Sequence, residues 1–427
     1  MTPDRNLFDH PAVKNAVLWA FALILGWQPA AWAANPPRKD GFNELFVSSF
    51  LLHREGTSGD GTGALQKLFG AENPGLVTPD AADLDWASIN YWVGAIAGAV
   101  PANGRGSAAL IRDIVDLNYI EPQEGQFPFE ADIVAVLSIY QAHGMNVILA
   151  GAVSGSSGQI NEPAWIRRRV MAAPQQNQMS VRIQVYADVI ARFVKRLNSN
   201  YGDNGWRQWL QANVSIEPIN EFNVNITGYP IFAANLDSKV QKMLAANGTP
   251  LKVISSSIVS GTDQDYLEWF RKYYKSGAPA SILPNIHLYY SAALDNGQFT
   301  KALQRFKSVV DTLYRDVTPG SGTKIIIGEV GQSLAEPADP SAHSDLMRNL
   351  IDNPGLIDLQ TKIAALAFWR LFATFIPLDC TRFASNCGAV QARETTFGFV
   401  HLATAGYAGL PGTPLYIEPQ LHNYFGL

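Results

Sequence analysis

Ser215-Ile216-Glu217-Pro218-Ile219-Asn220-Glu221 and, 108 positions further on, Ile325-Ile326-Ile327-Gly328-Glu329 decide the fold. Each is a short apolar, β-branched run that stops on a carboxylate, and near-continuous apolar runs of this length mark strands covered on both faces. Comparable runs at 45–52, 109–115, 145–150, 252–256, 285–290 and 364–369 join 214–219 and 324–328 to make eight candidate strands. Stretches with helical spacing separate them. Ile183, Tyr186, Ile190, Phe193, Val194 and Leu197 form one apolar stripe, and the helical segments 265–274 and 301–317 run up to stop signals at Gly277 and at Pro319-Gly320. Alternating strand and helix demand a parallel sheet. Eight such units close most simply into a single α/β (β/α)8 TIM barrel. A separation of 108 residues equals three βα units of about 30–36 residues each, so Glu221 and Glu329 end the fourth and seventh strands. These face each other across the barrel mouth, where barrel active sites lie.

The 427-residue chain carries a net charge of −5, with 47% hydrophobic and 16% charged residues. That composition supports a large core, excludes a disordered chain and leaves no electrostatic footprint for nucleic acid. The length beyond a minimal barrel falls at 54–107, at 151–180 and after Phe372. The first two are long βα-loop insertions after strands one and three, with 56–63 expected to be mobile and 83–100 to hold an inserted helix. No repeat or linker divides 34–427, which reads as one domain.

At the N-terminus Lys14 precedes the apolar run 16–27, and Ala30, Ala31 and Ala33 follow. The run is shorter than the roughly 20 residues of a membrane-spanning helix. We expect a secretory signal peptide over 1–33, with a retained anchor as the alternative, and a mature chain that is periplasmic or secreted in a bacterium and free of the membrane. In an oxidising compartment Cys380 and Cys387, seven positions apart, are expected to form a local disulfide. The seven histidines lack HExxH or HxH spacing and no CxxC occurs, so neither a metal site nor a cofactor is expected.

Several motifs, in order, resemble the clan A retaining glycoside hydrolases, and within them family 39 and its bacterial exopolysaccharide-hydrolase relatives. Ile216-Glu217-Pro218-Ile219-Asn220-Glu221-Phe222-Asn223 resembles the fourth-strand segment whose Asn-Glu pair carries the acid/base. Gly328-Glu329-Val330-Gly331 resembles the seventh-strand nucleophile turn. Ile111-Arg112-Asp113 with 120–127, His143-Gly144-Met145-Asn146-Val147, His287-Leu288-Tyr289 and Phe368-Trp369 are similar to the second, third, sixth and eighth strands, so the likeness spans 109–372.

The resemblance and the chemistry of paired carboxylates together imply Glu221 as general acid/base and Glu329 as nucleophile. Asn220 would bond the sugar hydroxyl beside the anomeric carbon, or else cap backbone. Arg112 would hold Glu329 ionised, or else form a buried structural ion pair. Tyr289, with Tyr290 as its alternative, would orient Glu329, and His287 would line the sugar site; plain core roles compete for both. Trp369 would stack on a pyranose face unless it is a core residue. Glu217 reads as structural. The resulting expectation is a monomeric retaining glycoside hydrolase that acts endo-wise on a polysaccharide, an exopolysaccharide as the sharper form, or on an oligosaccharide. An exo-β-glycosidase or transglycosylase on the same scaffold is one rival. The other is a non-catalytic carbohydrate-binding or exopolysaccharide-assembly protein.

Overall fold

A computed structural model describes residues 38–43, 108–152, 162–201, 203–221, 230–291, 298–317, 323–331 and 361–368, with short pieces among 90–98, at 294–295, 350, 400–402 and 415–417. All belong to the compact unit Pro37–Leu427. The expected signal peptide, the glycine-rich stretch 56–63, Trp369, Cys380 and Cys387 lie outside the described residues. Isolated helical residues from 90 to 98 fall inside the expected inserted helix. Among the described residues no helix is long and apolar enough to cross a membrane.

Among the described residues nine parallel strands form one sheet: β1 (Lys39–Asn43), β2 (Ala108–Asp116), β3 (Asn146–Ala152), β4 (Val214–Glu217), β5 (Lys252–Val253), β6 (Ile258–Val259), β7 (Asn285–Tyr289), β8 (Ile325–Gly331) and β9 (Ile363–Phe368). Their order is β5-β4-β3-β2-β1-β9-β8-β7-β6, and its two ends are halves of a single chain passage. Between them the amides of Ile254 and Ser257 donate to Ile216 O at 2.9 Å and Ile219 O at 3.1 Å, beside β4. The amide of Ser255 donates to Leu283 O at 3.0 Å, just ahead of β7. Residues 252–259 thus serve as one interrupted strand that touches both neighbours, and the sheet closes with eight strand positions, as a (β/α)8 barrel requires.

Seven of the eight expected strands overlap observed ones; the first does not. Its place is taken by β1, which pairs with β2 on one side and β9 on the other, while the apolar run 45–52 lies outside the described residues. The polar sequence Lys39-Asp40-Gly41-Phe42-Asn43 hides the strand. Its one acid, Asp40, is buried in a fork with Arg38 just ahead of the strand, Arg38 Nε to Asp40 Oδ1 at 2.6 Å and Arg38 Nη2 to Asp40 Oδ2 at 2.8 Å. At Gly41 a Cβ would come within 1.7 Å of Leu110 O, so only glycine lets β1 lie against β2.

Two apolar layers follow from strand alternation. Leu110, Ile148, Ile254, Ile326, Ala365 and Ala367 fill the barrel. The opposite faces of the strands meet the surrounding helices in a second, larger core. There α1 (Gln178–Asn200) buries the predicted stripe from Ile183 to Leu197. Next come α2 (Pro230–Ala246), α3 (Asp263–Lys275), whose first turn Thr262 caps by accepting from the Asp265 amide, and α4 (Phe299–Asp316).

Candidate active site

Arg112 lies two residues beyond Leu110 on β2, so its side chain rises from the inner apolar layer into the upper barrel, where it is fully buried. Its guanidinium forks onto Glu217, Nε to Oε2 and Nη2 to Oε1, both at 2.8 Å. It also reaches Glu329 Oε1 from Nη1 at 2.7 Å and Asn220 Oδ1 from Nη2 at 2.6 Å. Arg112 thus makes a buried ion pair with the structural Glu217 and also bonds Glu329. Its pull on the Glu329 carboxyl is outweighed by burial, so the expectation that it holds Glu329 ionised is not met by the net shift. One positive charge faces two carboxylates.

A local irregularity aims Glu329. Pairing between β7 and β8 runs Ile286 with Ile327 and then His287 with Glu329, which leaves Gly328 as an extra residue, a β-bulge. A Cβ on Gly328 would lie 2.5 Å from Asn285 Oδ1 and 3.3 Å from Arg112 Nε, so this position faces the interior, and the bulge carries the next residue inward as well. Glu329 is consequently buried, and Tyr289 donates its hydroxyl hydrogen to Oε2. Tyr289, and not Tyr290, makes this contact. Its own carbonyl accepts from Arg305 Nη2 at 2.8 Å. Burial, the largest cause, lifts the Glu329 carboxyl to about 7 against the pull of the Arg112 guanidinium and the Tyr289 hydrogen bond.

Glu221 stands just past the end of β4 with φ of 45°, a left-handed conformation that costs a non-glycine residue energy. The turn is pinned on both sides: the Asn220 amide donates to Gly151 O at 2.7 Å, and the Glu221 amide donates to Ser257 Oγ at 2.8 Å. The Glu221 side chain is 26% exposed against 3% for Glu329, so one carboxylate opens to the outside and its partner is sheltered.

His287, expected to line the sugar site, is fully buried. Its Nδ1 lies 3.0 Å from Glu221 Oε1 and 3.3 Å from Glu329 Oε2, so it reaches both carboxylates from within the barrel. Burial, seconded by Arg112, depresses the imidazole to about 4 and keeps it neutral near pH 7, with Nδ1–H as donor. Glu221, His287 and Glu329 each offer an atom within 4.8 Å of the other two. Geometry alone would let the three hold a cation. The Arg112 guanidinium against Glu329 opposes one, and the oxygens concerned already accept from Tyr289 and His287.

Six of the seven residues singled out from sequence as catalytic or sugar-binding thus converge on one site: Glu221, Glu329, Asn220, Arg112, His287 and Tyr289. Trp369 lies outside the described residues. Sequence reasoning missed Ser257, Gly151 and the bulge at Gly328; the interruption of an apolar run by Ser255-Ser256-Ser257 was the one available sign of the first.

The sequence matches no protein-family model and no curated protein. Solved structures do match. An exo-beta-1,4-mannosidase, Op5Man5 from Opitutaceae bacterium strain TAV5, superposes with a TM-score of 0.53 at 14% identity over 90% of this chain, which spans 59% of that protein's length. A GH5_18 protein from Streptomyces cattleya, crystallised with Manb1-4GlcNAc, gives 0.51 at 14% identity, covering 75% of this chain and 72% of its own. A beta-glycosidase, BGL167, gives 0.50 at 12% identity, covering 79% and 84%. At such identities the likeness speaks to architecture, and it agrees with a closed (β/α)8 barrel.

Proposed function

We propose that the chain is a retaining glycoside hydrolase of clan A. The observation that carries this reading is the approach of Glu221 and Glu329: carboxylate oxygens of the two lie within 4.8 Å of each other at the barrel mouth. Inverting enzymes separate the pair by about 6.5–9.5 Å to admit a water, whereas retaining ones hold it near 5–5.5 Å. Glu329, held by Arg112 and Tyr289, attacks the anomeric carbon as Glu221 gives its proton to the departing glycosidic oxygen. In the second half Glu221 takes a proton from water, which displaces Glu329 and frees the sugar. Asn220, its amide oxygen fixed by Arg112, presents its NH2 group to the hydroxyl beside the reacting carbon.

The substrate is a polysaccharide or oligosaccharide, with endo cleavage of an exopolysaccharide by an exported monomer as the finer form. Support for it comes from the motif likeness to family 39 relatives, from the length between β1 and β2 and after β3, and from the N-terminal pattern. The name of the mannosidase above favours an exo mode as the second reading. Product analysis separates them, since mixed oligosaccharides mark endo cleavage and terminal monosaccharide alone marks exo. For the reaction itself, Glu221→Ala should slow glycosides with poor leaving groups by about 10²–10⁴-fold, the range of general acid–base catalysis. Azide should partly restore turnover of activated ones; uniform slowing without rescue would remove Glu221 from the proposed role.

A further inference from the structure

The interrupted strand between β5 and β6 does more than close the barrel. Within 254–257 three consecutive serines, all fully buried, use their hydroxyls where a regular strand would use its ladder. Ser255 Oγ accepts from the Asn285 amide at 2.8 Å. Ser256 donates to Asp237 from its amide at 2.9 Å and from its hydroxyl at 2.7 Å. Ser257 turns the other way, toward the end of β4. Its amide donates to Ile219 O at 3.1 Å, its hydroxyl lies 3.4 Å from Asn220 Oδ1, and Oγ accepts from the Glu221 amide at 2.8 Å. One residue therefore grips three successive positions of the turn that bears Glu221. That turn contains the non-glycine φ of 45°, a conformation that persists only where the surroundings over-determine it.

We propose that Ser257 is a positioning residue for Glu221: its hydroxyl, exposed to the turn by the strand interruption, holds the left-handed backbone that aims the acid/base carboxyl at the glycosidic oxygen. The inference rests on the reading of Glu221 as acid/base. The hydroxyl touches neither Glu329 nor its partners Arg112 and Tyr289. Asn220, which it meets at the long distance of 3.4 Å, keeps its 2.6 Å bond from Arg112, so removal of the hydroxyl leaves the nucleophile in place.

The test compares phenyl with 2,4-dinitrophenyl glycosides in gluco, galacto, manno and xylo configuration, for wild type and for Ser257→Ala, Ser257→Thr and Ser257→Cys. Phenoxide needs a proton to depart and dinitrophenoxide does not. In Ser257→Ala, kcat on the phenyl glycoside should fall by about 10²-fold, the cost of misplacing a catalytic group by about 1 Å. On the dinitrophenyl glycoside kcat should change by less than about threefold, because acid assistance contributes little there. Labelling of Glu329 by a dinitrophenyl 2-fluoroglycoside should keep its wild-type rate, and Ser257→Thr, which keeps the hydroxyl, should recover most of the loss. Equal slowing of both glycosides, slower labelling, or no slowing at all would overturn the inference. Should Ser257→Ala fail to fold, Ser257→Cys carries the same comparison, because its thiol is a weaker acceptor for the same amide. A wild-type chain that cleaves no glycoside overturns the functional reading itself, a result distinct from cleavage with an unaltered leaving-group dependence in the variants.

Discussion

Arg112 and Glu329 illustrate how burial and pairing oppose each other at a single residue. The guanidinium is shared between Glu217 and Glu329, so when both acids are ionised the cluster holds one uncompensated negative charge away from water, which is costly. Glu329 answers by holding its proton more tightly in the folded chain, up to about 7 from an ordinary 4.5. A carboxyl raised in this way binds more protons folded than unfolded between those two values, so it takes stability away as pH climbs through that window, and the penalty is full above pH 7. Glutamine has no proton to lose and leaves Arg112 and Glu217 as a balanced pair. Glu329→Gln should therefore abolish turnover, by at least about 10³-fold for loss of a nucleophile, while raising Tm above pH 7. Thermal melts should show that gain shrinking toward zero near pH 4.5; a gain independent of pH, or a loss above pH 7, would contradict the charge argument. Glu221 and Glu329 were legible in the sequence because each closes an apolar strand run with a carboxylate, and Arg112 because Ile111-Arg112-Asp113 resembles a clan A strand. The sharing of one guanidinium between two acids was not, because nothing in the spacing of Arg112 and Glu217 says that their side chains meet.

Among the elements, those the sequence disguised are those where backbone meets backbone. The runs at β3, β7, β8 and β9 announce themselves by continuous burial. By contrast β1 carries a charge inside because Asp40 pairs with Arg38 just ahead of the strand, and the bulge in β8 is invisible because one extra glycine leaves the apolar pattern unchanged. Gly151 belongs to the same class. It is the next-to-last residue of β3, and its carbonyl accepts from the Asn220 amide. An added Cβ would sit 2.2 Å from Pro218 O and 3.1 Å from Pro218 C, and a backbone carbonyl cannot step aside as a flexible side chain can. Gly151→Ala should force the ends of β3 and β4 apart and cost about 3 kcal/mol, the upper range for overpacking, read as a lowered urea midpoint at unchanged slope. Because the displaced segment also carries Glu221, the proposed acid/base, kcat should fall in the same variant. A variant with wild-type stability and reduced activity, or the reverse, would show that the close approach of β3 and β4 does not couple packing to the site.

At the scale of the whole barrel, closure is what brings Glu221 and Glu329 together across 108 residues of chain. Neither helix propensity nor local pattern contains that distance; it follows from strand count and tilt, which fix the width of the mouth. The fourth and seventh positions then lie across the opening, and the bulge at Gly328 together with the left-handed turn at Glu221 brings their oxygens within 4.8 Å. In the proposed reaction Glu329 itself takes the approach opposite the leaving group that an inverting enzyme would give to a water. On the proposed roles displacement occurs twice, once by Glu329 and once by water from the side the leaving group has vacated, and two inversions restore the starting configuration. Proton NMR of the anomeric region during the first minutes of hydrolysis should show the first-formed sugar with the anomeric configuration of its substrate, and the opposite anomer should appear only later by mutarotation. In the presence of methanol the same intermediate should yield a methyl glycoside of that configuration. An initial product of inverted configuration would mean that the two carboxylates separate to admit a water, and that the approach seen here is not the geometry of the reacting barrel.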